Sequence, residues 1–144
     1  MSVGNENEWA QRHEALLVSL MAGDIVVAKR AYDRAAHLEH PGGNTGVGWT
    51  DAEASWLALQ SSFPSAVFQV HHRIGRDEQL PPRSALWWSL TGTHDGWGAF
   101  GAPTGAPVGV MGICHAEFGP WGLRREYVLL DEIAIWKQIH LHVG

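Results

Sequence analysis

Cysteine is almost absent from this chain of 144 residues: the single one, Cys114, excludes an intrachain disulfide. It sits in an apolar, strand-like run, where a thiol is expected to be a small buried hydrophobe rather than a nucleophile. Basic residues are sparse too, 10 lysines and arginines against 15 aspartates and glutamates. They are scattered, so no basic stripe exists for a phosphate backbone, and nucleic acid is not expected as a partner. No segment reaches the run of about 20 apolar residues that crosses a bilayer. The N-terminal "MSVGNENEWAQRHEALLVSL" is acidic and polar ahead of its apolar part, the reverse of a secretory signal. A soluble, cytoplasmic protein with no membrane partner is the expectation, folded as one domain over residues 1–144. There is no Gly-Lys-Ser/Thr phosphate loop and no G-x-S-x-G nucleophile elbow.

Tryptophan, by contrast, is abundant, with 8 residues. Its large apolar ring and single donor suit a walled cavity or an interface as well as a core.

Periodicity divides the chain. Glu8 to Met21 sets Trp9, Leu16, Leu17 and Leu20 on one helical stripe, closed by Gly23. Asp24 is placed to cap a second helix, "IVVAKRAYDRAAHL", from Ile25 to Leu38. After the glycine-rich loop Glu39 to Trp49, Thr50 and Glu53 have the spacing of a capping box for a third helix reaching about Ser62. Beyond Pro64 the period becomes two. Strands are expected over 66–75, 84–94, 107–118 and 124–136, the last one running into a helical turn. Helices followed by sequential strands indicate an α+β fold, an antiparallel sheet packed on helices.

The stretch "GTHDGWGAFGAPTGAPV", Gly92 to Val108, contains a G-x-G-x-x-G match at Gly96 to Gly101. A dinucleotide fingerprint needs a helix N-terminus after its glycines. Here Pro103, Thr104 and Gly105 lead into another strand, so the stretch is a structured hairpin connection.

Gly92-Thr93-His94, Pro103-Thr104-Gly105, Glu126 and Asp131 fall where the SnoaL-like polyketide cyclases carry their motif. Roughly residues 20 to 140 resemble that family, part of the nuclear transport factor 2-like superfamily. The resemblance implies a cone: a strongly curved antiparallel sheet wrapped around three N-terminal helices, enclosing an apolar pocket (a cystatin-like α+β barrel). It also implies a homodimer packed through the outer sheet face.

Strand alternation puts Arg125, Tyr127, Leu129 and Asp131 on one face, with Glu126, Val128 and Leu130 on the other. A carboxylate at the edge of an apolar cavity has its pKa raised by desolvation, which suits proton transfer near neutral pH. The resemblance implies that role for Asp131, as general acid/base of an aldol closure. His94 and His115 could share the proton or orient a substrate, or be hydrogen-bonded structural residues. Tyr32, Phe68, Trp88, Met111, Tyr127 and Trp136 are candidate pocket walls. Of the histidine pairs, His71 and His72 face opposite ways along a strand. His37/His40 and His140/His142 lack a third ligand, so no metal site is expected. Aldol-type chemistry needs no cofactor and no covalent nucleophile. Two functions follow: a protein binding a small, largely apolar molecule and catalysing aldol-type cyclisation, isomerisation or hydration, or a non-catalytic ligand-binding or dimeric assembly module of the same fold.

Overall fold

The computed structural model of the chain describes residues 3–144. Helix α1, Glu8–Met21, starts where the Asn7 side chain accepts the Trp9 amide at 2.9 Å, and it buries Ala10, His13, Leu16, Leu17 and Leu20. Strand β1 is the short Val3–Gly4, and helix α2 spans only Val26–Ala31. Its N-cap is Ile25, with no side-chain cap bond, so Asp24 does not cap it.

The expected long second helix is not formed. Tyr32 turns to extended backbone and opens strand β2, Tyr32–His40. Ala36, Leu38 and His40 are buried while His37 is exposed, a period of two concealed beneath helix-favouring residues. Pairing decides the outcome. This strand lies parallel to β7 (Gly122–Leu130), with Leu38 beside Glu126, and antiparallel to β3 (Asn44–Val47). Tertiary ladders of this kind override local propensity. A 3-10 turn, Pro41–Gly43, joins β2 to β3.

Helix α3 runs Gly48–Ser62. It begins three residues earlier than the Thr50 capping box predicts: Asp51 reaches back to the Val47 amide at 2.8 Å, and Thr50 caps nothing. Gly48 has φ +81°, and a Cβ there would stand 2.6 Å from the Arg34 carbonyl oxygen, so the helix starts where only glycine fits.

Strands β4 (Val67–Arg76), β5 (Arg83–Thr93), β6 (Pro107–Gly119) and β7 follow as expected. The predicted strand through Trp136 stops at Leu130, and helix α4, Glu132–Val143, takes its place. Asp131 caps α4, accepting the Ala134 amide at 2.9 Å. Among the described residues, the seven strands are ordered β1-β4-β5-β6-β7-β2-β3. The sheet is antiparallel apart from the β1–β4 and β2–β7 pairs. Helices α1 and α3 fill its concave side and α4 lies along β6.

Trp87 and Trp88 part to opposite faces, 45% and 0% exposed. Trp88 meets Trp56 edge-on at 6.2 Å and donates to Cys114 Sγ at 3.0 Å. Its cross-strand partner is Gly112, where a Cβ would fall 2.1 Å from the indole. Trp97 and Trp121 stay exposed. The tryptophan surplus therefore divides between core and surface.

The Gly92–Val108 connection packs on the end of α3. A Cβ at Gly96 would lie 2.0 Å from the Ser61 carbonyl oxygen, and one at Gly98 would lie 2.3 Å from Ser62 Oγ. Close approach to a helix, not a phosphate, requires these glycines. No helix among the described residues is long and apolar enough to cross a membrane.

Candidate functional site

One strand face carries a charge where its neighbours are apolar. On β7, Val128 and Glu126 point into the fold, and Glu126 is fully buried. An unpaired carboxylate there would be costly, so its partners decide the chemistry. Three donors converge on it. The Tyr32 hydroxyl, from the start of β2, donates to Oε2. The Trp56 indole, from α3, donates to Oε1 at 3.2 Å. The third partner is His40, at the end of β2, whose Nε2 lies 2.6 Å from Oε1.

Burial alone would push the Glu126 carboxyl's pKa up. The hydrogen bond and positive charge of His40, with the Tyr32 hydroxyl behind them, outweigh it and hold the pKa below the usual carboxylate value. The Tyr32 hydroxyl is shifted far upward by burial and by Glu126, so it stays a donor. A carboxylate that accepts at Nε2 makes that nitrogen the protonated one. When the ring carries only that proton, Nδ1 is its basic atom; when it carries both, His40 is the cation that faces Glu126. Nδ1 lies 2.6 Å from Ser55 Oγ, on α3. Ser55, His40 and Glu126 thus form a continuous hydrogen-bonded chain, with the Trp56 ring edge against the imidazole at 5.7 Å.

This chain ends at a cavity of about 300 Å³, walled by His40, Ser55, Trp56, Leu59, Phe100 and Val128, with Asn44 and Glu132 also lining it. Among the described residues, no lysine or arginine lines it. Such a cavity suits a small ligand that is mostly apolar and uncharged.

A second buried histidine lies deeper. His13 bonds Ser84 Oγ through Nδ1 at 2.6 Å, and its Nε2 is buried without a partner. Burial lowers its pKa to about 4, against a weaker opposing pull from Glu126.

The residues expected from the sequence are dispersed. Asp131 is exposed, occupied as the α4 cap, and borders a shallow hollow on the outer sheet face. His94 is buried: its Nδ1 meets Thr104 Oγ1 at 2.9 Å, and its carbonyl accepts the Thr104 and Gly105 amides. The G-T-H and P-T-G motifs therefore knit the hairpin connection together, and neither lines the His40 cavity. His115 is half-buried on the outer face, its pKa lowered chiefly by burial and also by Arg83. Met111 and Tyr127 share that outer face and do not wall the cavity, because strand alternation turns them away from Glu126 and Val128. Tyr32 lies inside, holding Glu126. Trp88 is core, and the partly buried Phe68 packs against it at 5.4 Å. Trp136 stands behind the cavity wall, edge-on to Phe100 at 5.1 Å.

Sequence reasoning weighed His40 only as a metal ligand beside His37, and passed over Ser55 and Trp56. Its misplaced second helix hid the strand that aims His40. Glu126 carried a readable signal, a lone charge on the apolar side of an alternating strand.

No family model and no curated protein matches this chain by sequence. Solved structures do match in fold. IdmH from Streptomyces antibioticus, assigned as a polyketide cyclase, superposes with TM-score 0.75 at 15% identity, covering 93% of this chain and 99% of that one. A protein assigned as a SnoaL-like polyketide cyclase, from Jannaschia sp. CCS1, gives 0.73 at 16%, covering 94% and 96%. AclR from Streptomyces galilaeus, assigned as a hydroxylase, gives 0.69 at 16%, covering 92% and 83%.

Proposed function

We propose that this chain, which has the fold of the SnoaL-like polyketide cyclases, is a cofactor-independent acid/base catalyst acting on a small, uncharged, largely apolar carbonyl compound. One observation carries the reading: at a cavity wall, the imidazole of His40 is held 2.6 Å from a fully buried carboxylate. Nδ1 of His40 takes the proton next to the substrate carbonyl. The anionic Glu126 stabilises the imidazolium that forms, while Tyr32 and Trp56 keep Glu126 ionised. The same proton, returned to another atom, gives isomerisation; attack of the enolate on a second carbonyl, with the proton returned from His40 to the resulting alkoxide, gives aldol closure. Asp131 is left as a helix cap. The absence of any lysine or arginine from the lining, with Glu132 present in it, disfavours carboxylate and phosphate substrates.

A second reading has its own support. Nδ1 of His40 is already occupied by Ser55, so the chain could be structural and the cavity a binding site only. In either reading, a second copy of this chain is the proposed occupant of the outer face, where Met111, Ile113 and Leu129 are 53–69% exposed.

Proton exchange separates the two readings. The protein is incubated in D2O with a panel of uncharged cyclic ketones, and loss of the proton signals next to the carbonyl is followed by NMR. The acid/base reading expects exchange well above buffer, abolished in His40→Gln while the ligand still binds. A ligand that binds without any exchange would leave the binding module.

A further inference from the structure

A second pair of hollows lies elsewhere on the molecule and shares no lining residue with the His40 cavity. One, about 500 Å³, is formed by the β4–β5 turn (Leu80, Pro81, Pro82), Trp9 and Arg124. The other, about 560 Å³, lies between α1 and α2 and includes Arg12 and Arg30. Trp9, Phe118, Gly119 and Pro120 border both, so the two are continuous around one aromatic wall. That wall is firm: Trp9 packs on Phe118 at 5.0 Å, and the Arg12 guanidinium lies 4.7 Å over the Trp9 ring.

Charge sets this groove apart. The chain as a whole carries a net charge of −5, yet every charged residue lining the groove is an arginine. Two of the three have carboxylate neighbours outside the groove. Arg12 meets Glu8 at 3.0 Å with both side chains more than half exposed, a pair of little strength. Arg124 uses Nε on Glu117 at 2.7 Å, which leaves its terminal nitrogens available. Arg30 has no ion-pair partner among the described residues.

We propose that this groove binds a free amphipathic carboxylate: an aliphatic tail against Trp9, Phe118 and the prolines, and an anionic head toward Arg30 and Arg12. Guanidinium forks suit carboxylates, and the apolar floor rejects small hydrophilic anions. This site would take the ligand class that the His40 cavity disfavours.

Octanoate and its neutral counterpart 1-octanol are titrated into the isotopically labelled full chain, and the indole N–H signals are followed. Octanoate should shift Trp9 and leave Trp56 in place, and 1-octanol should bind at least several-fold more weakly. The double variant Arg12→Glu/Arg30→Glu, with its fold checked by circular dichroism, should weaken octanoate roughly tenfold or more. Equal binding of 1-octanol to the wild-type chain would overturn the proposal without any variant. So would a shift at Trp56 alone, or capture by phosphatidylglycerol vesicles with no response to octanoate.

Discussion

Leu38 and Glu126 are register partners in the parallel β2–β7 pair, and two residues further along β2 His40 reaches back to the same carboxylate at 2.6 Å. The parallel pairing thus assembles the charged centre. Strand β2 contributes Tyr32 at one end and His40 at the other, and α3 lays Trp56 and Ser55 alongside.

Removing one of Glu126's donors should be felt in stability. Tyr32→Phe keeps the ring and deletes a hydrogen bond to a buried anion, a loss of about 1.5–3 kcal/mol. Urea denaturation checks this. A change below about 0.5 kcal/mol would mean that Glu126 is not the anion described here.

Asp131→Ala should lose only a helix cap, about 1 kcal/mol. Thermal unfolding should shift modestly, and proton exchange on a bound ketone should persist. Abolished exchange in a folded Asp131→Ala protein would return the catalytic role to Asp131.

Gly112→Ala should destabilise by about 1–3 kcal/mol, because its new methyl must displace the fully buried Trp88 ring. Wild-type stability in this variant would show that Trp88 has another place to go.

Acidification should act through His13 first. Its folded pKa, about 4, lies below the unfolded 6.5, so the unfolded chain binds the proton more readily. Stability is full above pH 6.5 and falls between 6.5 and about 4, by about 3 kcal/mol. Glu126, also lowered, adds a loss only as pH drops below 4.5. His13→Gln, which can still bond Ser84, should remove most of the fall between pH 6.5 and 4, leaving the smaller part that half-buried His115 contributes and the lower limb. An unchanged curve would assign the upper limb to another group.

Much of this was legible in the sequence. Four strands, the split of Trp87 from Trp88, the buried Cys114 and the rejection of a nucleotide loop all follow from alternation and turn chemistry. The second helix misled, because Ala35 and Ala36 favour helix while the ladder to β7 prevails. That error left His40 in a loop, where it was weighed only as a metal ligand beside His37. On β7 the alternation held, and the face chosen for the site is the outward one. Asp131 and Tyr127 lie outward, and the acidic residue among the inward apolar positions is Glu126. Which face a strand buries depends on helices packed from elsewhere in the chain, and the local pattern does not contain that.

The most direct test of the central claim is the 15N NMR tautomer of His40, measured in the wild-type protein and in Glu126→Gln. Protonated Nε2 with a bare Nδ1 in the wild type, and loss of that preference in the variant, is the predicted result. A proton resident on Nδ1 in the wild type would contradict it, because His40 would then present no base to Ser55 or to a ligand.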